Sequence, residues 1–203
     1  MRFVYWHRAL KTRKMKFQAE SLYHIYNRGN NRQHIFFNAN NYEYFLNKVR
    51  LYLLNDCDIL NYCLMPNHFH ILIYTKSHVK GNEINNSIAI ILRSYAQAIN
   101  RLYTRTGSVF QQKTKAKILD NKRGDYPFIC FNYIHQNPVK AKLVQRMEDW
   151  EFSSFRDFIE ERDNSFVNRE LAKQLLNLPA DKDGFRKLSH TVINDAHING
   201  LYQ

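Results

Sequence analysis

Met65-Pro66-Asn67-His68-Phe69-His70-Ile71-Leu72-Ile73-Tyr74 is the stretch on which the reading of this chain turns. From His68 onward it has the aromatic and β-branched composition of a strand. In a strand, residues i and i+2 share a face. His68 and His70 therefore stand side by side, and Phe69, Ile71 and Ile73 form the opposite, apolar face. Upstream, Ile59 to Leu64 reads as a second strand, and Pro66-Asn67 is a turn that joins the two as a hairpin. Imidazole is the commonest side-chain metal ligand, so two on one strand make half of a metal site. On its own, a His-x-His pair is more often a solvated strand face.

Working outward, Leu22 to Asn27 is another strand-like run, closed by the turn cluster Arg28-Gly29-Asn30-Asn31. Asn40-Asn41 is placed to cap a helix whose stripe is Phe45, Val49, Tyr52 and Leu53. The strongest helical stripe follows the histidines: Ile84, Ile88, Ile91, Leu92, Tyr95, Ile99 and Leu102, with Gly107 after it. Residues 108–119 read as a strand or extended arm carrying Val109, Phe110, Lys113, Lys115 and Lys117. Tyr126 to Gln136 reads as a short helix, with Pro127 tolerated in its first turn. Asn137-Pro138 then reads as the cap and first residue of another helix, Val139 to Val144. Phe152 to Glu160 is expected to be helical, and 168–178 and 184–193 to form a small helical tail.

Strand, helix, strand, strand, helix, strand is the order of an α+β fold. The expectation is an antiparallel sheet with helices packed on it, of the ferredoxin-like kind. Three segments are expected: a basic N-terminal arm at 1–19, a main domain at 20–160, and a helical C-terminal extension at 161–203 outside the sandwich.

The 203 residues carry 30 Lys and Arg against 18 Asp and Glu, a net charge of +12. Such a surplus favours a polyanionic partner, nucleic acid first. A 44% hydrophobic share belongs to a folded chain. No apolar run approaches the roughly 20 residues of a membrane span, and the basic start lacks the apolar core of a secretory signal. A cytoplasmic protein is expected. Cys57, Cys63 and Cys130 are odd in number and form no Cys-x-x-Cys, so buried reduced thiols are expected rather than disulfides or a zinc ribbon.

No glycine-rich phosphate loop with Lys-Ser/Thr and no His-Glu-x-x-His occurs. On a basic protein, a cation held by two imidazoles with open positions would meet phosphate oxygens. Imidazole suits several divalent metals, so the pair alone names none. Phosphodiester chemistry also needs a nucleophile. Tyr133 stands out among the thirteen tyrosines, because Gln136 and Asn137 follow it at i+3 and i+4 and can share its helix face. A phenolate can attack phosphorus, and an amide oxygen can complete a metal shell. His24 and His135 read equally well as supporting groups or as ordinary polar positions.

Four blocks carry a resemblance. They are Tyr23-His24-Ile25-Tyr26-Asn27-Arg28-Gly29-Asn30-Asn31-Arg32-Gln33, then Tyr62-Cys63-Leu64-Met65-Pro66-Asn67-His68-Phe69-His70-Ile71-Leu72. Val109-Phe110-Gln111-Gln112-Lys113-Thr114-Lys115 is the third, and the run from Tyr133-Ile134-His135-Gln136-Asn137-Pro138 to Val144 is the fourth. In this order they resemble the HUH single-tyrosine transposases, most of all the REP-associated tyrosine transposases. The resemblance implies that His68 and His70 bind Mg²⁺ or Mn²⁺. It implies that Tyr133 attacks a single-stranded DNA phosphate, leaving a 5′-phosphotyrosine and a free 3′-OH, at a site flanked by a hairpin. It makes Asn137 the third metal ligand, where insertion-sequence relatives carry glutamine. Asn137 precedes a proline, a position that disfavours helix, so Gln136 is the rival ligand. Arg28, Arg32, Lys113 and Lys115 are expected on the DNA backbone. The resemblance leaves open a homodimer with exchanged tyrosine helices or a monomer. Its alternatives are a replication initiator or relaxase, and a catalytically inactive hairpin-binding protein.

Overall fold

Residues 16–120 and 125–193 are described by the structure, a computed structural model. The first fifteen residues of the basic arm and the last ten of the extension lie outside them. Six elements make the sheet and its first helical layer: β1 (Leu22–Arg28), α1 (Ala39–Leu53), β2 (Cys57–Met65), β3 (His68–Thr75), α2 (Glu83–Leu102) and β4 (Lys115–Ile118). The strands lie in the order β2-β3-β1-β4, and every neighbouring pair is antiparallel. This is the α+β, ferredoxin-like sheet expected from the sequence, with the histidine strand in its interior.

One sheet face is apolar because the alternation of β1 and β3 makes it so. Ile25, Phe69 and Ile71 meet Phe45, Val49 and Leu53 of α1 and Ile88, Ile91 and Leu92 of α2. Phe45 and Phe69 pack with ring centroids 5.0 Å apart. Tyr95 is fully buried and donates its hydroxyl to the Ile35 carbonyl at 2.6 Å. Leu102 departs from the expected stripe. It stands in the last turn of α2, where the helix has run past the sheet, and is 63% exposed.

The opposite face carries His24, His70 and Leu72 and is covered by α3 (Tyr126–Lys140). Here the structure corrects the sequence reading. One helix runs through Pro138 to Lys140, instead of ending at Gln136 and restarting at Val139. Pre-proline strain is a preference, and packing overrides it: Ile134, Asn137 and Pro138 are all buried. The Asn137 side chain donates to the Tyr133 carbonyl at 3.0 Å, and Ala141 N–H donates to the Asn137 carbonyl at 2.9 Å.

Three further differences have local causes. Asn38, not Asn40-Asn41, caps α1, its side chain accepting from Asn41 N–H at 3.2 Å. Of the arm at 108–119, β4 alone pairs as a strand along β1, although Val109 and Phe110 are buried. Of Phe152–Glu160, only α4 (Phe155–Phe158) is helical. Residues 152–154 turn against β2 instead and bridge to it at Cys63 and Ser153, with Leu64 N–H donating to the Phe152 carbonyl and Ser154 N–H to that of Tyr62, both at 2.9 Å.

The tail forms α5 (Arg169–Leu176) and α6 (Lys182–Ser189). It is not detached from the sandwich. Asn168 N–H donates to the Ile59 carbonyl at 2.8 Å, and Phe185, 1% exposed, enters an aromatic group with Phe131, Phe155 and Phe158. All three cysteines are buried and free, and burial pushes their thiols up. Among the described residues, no helix is long and apolar enough to cross a membrane.

Candidate active site

The antiparallel register sets the site. Tyr26 of β1 pairs with His70, and Arg28 with His68. On its other side, Tyr26 pairs with Lys115 of β4. Alternation therefore gathers two histidines, an arginine and a lysine on one face. His68 and His70 are perpendicular neighbours, with ring centroids 5.0 Å apart.

Each Nδ1 of the pair is engaged. His68 Nδ1 lies 2.6 Å from the Asn67 side-chain oxygen, to which it donates. That bond assigns the Nε2 lone pair of His68 to any cation. His70 Nδ1 lies 2.8 Å from His24 Nε2. Burial, with Arg28 adding to it, lowers the His68 pKa to about 4. His70 is driven well below the ordinary histidine value by burial, then by His24, His68 and Arg28. Both rings are therefore neutral at pH 7, the form that binds metal.

Tyr133 projects from α3 onto the pair. Its ring stands edge-on to His70, with centroids 5.9 Å apart at 84°. Both side chains come from one chain. Lys140, two turns further along α3, holds its Nζ 5.5 Å from the Tyr133 ring centroid. Asn137, one turn after Tyr133, is buried with its amide nitrogen bonded to the Tyr133 carbonyl. Its oxygen is thus the donor atom it can offer. Gln136 instead donates to the Ser189 and Thr191 carbonyls at 2.8 and 2.9 Å, holding the tail.

A cleft of about 140 Å³ opens here, lined by His68, His70, Arg28, Lys113 and Lys115, with Tyr26 and Gln111. The chain after Phe110 is pinned beside β1. Asn27 donates to the Gln111 carbonyl at 3.2 Å and to Thr114 Oγ1 at 2.9 Å. This puts Lys113 and Lys115 at the mouth. Arg32 does not line the cleft. It is exposed on the adjacent turn (Asn30–Arg32), and its carbonyl accepts from the Asn67 side chain at 3.2 Å.

Among the described residues, no group of three or more His, Cys, Asp or Glu is arranged to hold a metal. A cation here would meet the two neutral imidazoles of His68 and His70, with positions left for further oxygen donors. That donor set fits a divalent ion bound together with phosphate. Sequence reasoning gave Asn67 no role, although its place beside His68 was a usable signal. It left His24 undecided, because the His24–His70 contact depends on the register between β1 and β3.

The family model described as "Transposase IS200 like" matches residues 18–137. Among solved structures, the chain is similar to one described as the REP associates tyrosine transposase bound to a REP hairpin. The TM-score is 0.58 at 16% identity, over 77% of this chain and 92% of that one. At that identity the likeness is one of fold. No curated protein matches the chain significantly. The family match begins before β1, takes in every strand of the sheet and ends on Asn137 of the tyrosine helix, and so the chain belongs to the IS200-like transposase family.

Proposed function

We propose that this transposase cuts and rejoins single-stranded DNA beside a hairpin, with Tyr133 as nucleophile. The observation that carries the reading is the edge-on approach of Tyr133 to His70, at 5.9 Å, beside a cleft lined with basic side chains. The phenolic oxygen attacks the scissile phosphorus and the P–O3′ bond breaks. The 3′-oxygen leaves as a hydroxyl, taking overall the proton that the phenol gives up. The downstream fragment stays on Tyr133 through its 5′-phosphate as a phosphotyrosine ester, which retains the energy for rejoining, so no nucleotide cofactor is required.

The chain's other residues have distinct parts. His68, His70 and Asn137 would hold Mg²⁺ or Mn²⁺, and such an ion polarises a phosphate oxygen and offsets its charge. Asn137 is preferred to Gln136 because it stands one helical turn after Tyr133, whereas the Gln136 side chain reaches toward the tail, its nitrogen donating to the Ser189 and Thr191 carbonyls. Lys140, with its Nζ 5.5 Å from the Tyr133 ring centroid, sets a positive charge beside the nucleophile. Arg28, Lys113 and Lys115 grip the phosphates of the strand, and Arg32 extends that track from the neighbouring turn. The hairpin in the similar solved structure supports a hairpin-flanked substrate, and the family favours a transposase over an initiator or relaxase.

Tyr133→Phe tests the reading. With Mn²⁺ and a labelled hairpin oligonucleotide, the variant is expected to bind like the parent but to form no covalent product on a denaturing gel. Undiminished product from the variant removes Tyr133 from its role. Binding without product by the parent, under any divalent ion, favours the inactive hairpin-binding alternative.

A further inference from the structure

His24 is an unusual residue to bury. It lies on β1, fully enclosed, its ring grouped with those of Tyr26, at 4.7 Å, and His70, at 5.0 Å, which are 5.9 Å from each other. Its Nε2 is 2.8 Å from His70 Nδ1. Its Nδ1 is buried and has no hydrogen-bond partner among the described residues. A buried imidazole with one nitrogen unsatisfied costs stability that an apolar ring would not. The contact with His70 is the one hydrogen bond that the His24 side chain makes among the described residues, so its polarity serves that contact.

We propose that His24 is a positioning residue for the cation site: it accepts the Nδ1–H of His70 and so commits the Nε2 lone pair of His70 to a divalent ion. This rests on the function proposed above. Two neutral rings 2.8 Å apart can share their proton in two ways. If His24 donates, the ring proton of His70 sits on Nε2 and the ring offers a cation nothing. If His70 donates, Nε2 carries the lone pair. Cation binding selects the second arrangement, which requires an acceptor at position 24. His68 reaches the same tautomer through a different acceptor, the Asn67 oxygen. Metal-bound histidines commonly use a carboxylate or carbonyl for this purpose. A neutral imidazole does so without adding negative charge beside a cleft that must admit phosphate.

Mn²⁺ titrations followed by electron paramagnetic resonance, on the full chain without DNA, test this. His24→Phe keeps the ring and its stacking but removes the acceptor, and is expected to weaken Mn²⁺ binding about 10- to 100-fold. His24→Gln can place an amide oxygen near the lost Nε2 and is expected to recover most of that loss. Unfolding curves and hairpin binding in EDTA report whether the variants are folded. A folded His24→Phe that binds Mn²⁺ like the parent overturns the role, as does a Gln variant no better than Phe. Imidazole ¹⁵N spectra of the Mg²⁺-loaded parent give a second reading that needs no variant. His70 is expected as the Nδ1–H tautomer, and the Nε2–H tautomer would overturn the proposal. A parent that binds no Mn²⁺ overturns the cation site itself, and His24's role with it. Equal binding by parent and His24→Phe removes His24 alone.

Discussion

His135 shows how burial sets the acid limit of this protein. It is enclosed by Phe131, Phe155, Phe158 and Phe185, with Nε2 2.9 Å from Ser154 Oγ. Burial lowers its pKa from 6.5 to about 3. The unfolded chain therefore binds the proton that the folded chain refuses. The stability from this group is complete above pH 6.5 and is lost as pH falls from there through about 3. His135→Leu is expected to flatten the stability profile between pH 6 and pH 4 by up to about 1.4 kcal/mol per pH unit. Urea unfolding at successive pH values measures it, and an unchanged slope would show that His135 does not titrate there. The paired faces of His68 and His70 were legible at this scale, because period-two alternation needs no tertiary information. The contacts of His24 were not, since they are fixed by a register spanning 46 residues.

Among the elements, the turn after β1 decides the shape of the cleft. Gly29 N–H donates to the Asn67 carbonyl at 2.8 Å, tying this turn to the residue that orients His68. A Cβ on Gly29 would lie 2.1 Å from the Gln33 carbonyl oxygen, a backbone atom that cannot move aside alone. Gly29→Ala is therefore expected to cost about 1–3 kcal/mol and to weaken DNA cleavage by displacing His68. Thermal unfolding with a cleavage assay checks this, and a variant as stable and active as the parent would contradict it. Glycine in a turn cluster was readable, but its close approach to Gln33 was not. The tyrosine helix was misread for a different reason. Pro138 is a local stop signal, and burial of Ile134, Asn137 and Pro138 outweighs it. The run 152–154 was read as helix because nothing nearby in sequence indicates that β2 takes it as an edge partner.

For the molecule as a whole, the sheet order of a chain with net charge +12 sets a histidine pair in a cleft lined with basic side chains. The order β2-β3-β1-β4 brings Arg28, Lys113 and Lys115 to the cleft from two strands and an arm. If each lysine meets a phosphate of single-stranded DNA, each releases counterions. Lys113→Ala and Lys115→Ala are each expected to reduce the slope of log affinity against log salt by about 0.7. Binding titrations from 50 to 200 mM salt read it directly, and an unaltered slope would take that lysine off the DNA. Fold class and the order of elements along the chain were legible from patterning, and the charge surplus, read from composition, pointed to a polyanionic partner. The docking of the tail was hidden, since Phe185 is a lone aromatic in a polar stretch and its partners lie on α3 and α4.

The central claim is that Tyr133 takes the cut strand onto itself. Its most direct measurement is peptide mass spectrometry of the parent chain after incubation with Mn²⁺ and a hairpin-flanked single strand. A nucleotide adduct on the peptide containing Tyr133, joined through its 5′-phosphate, is the expected result. An adduct on another residue, or strand cleavage with no adduct at all, would contradict the account.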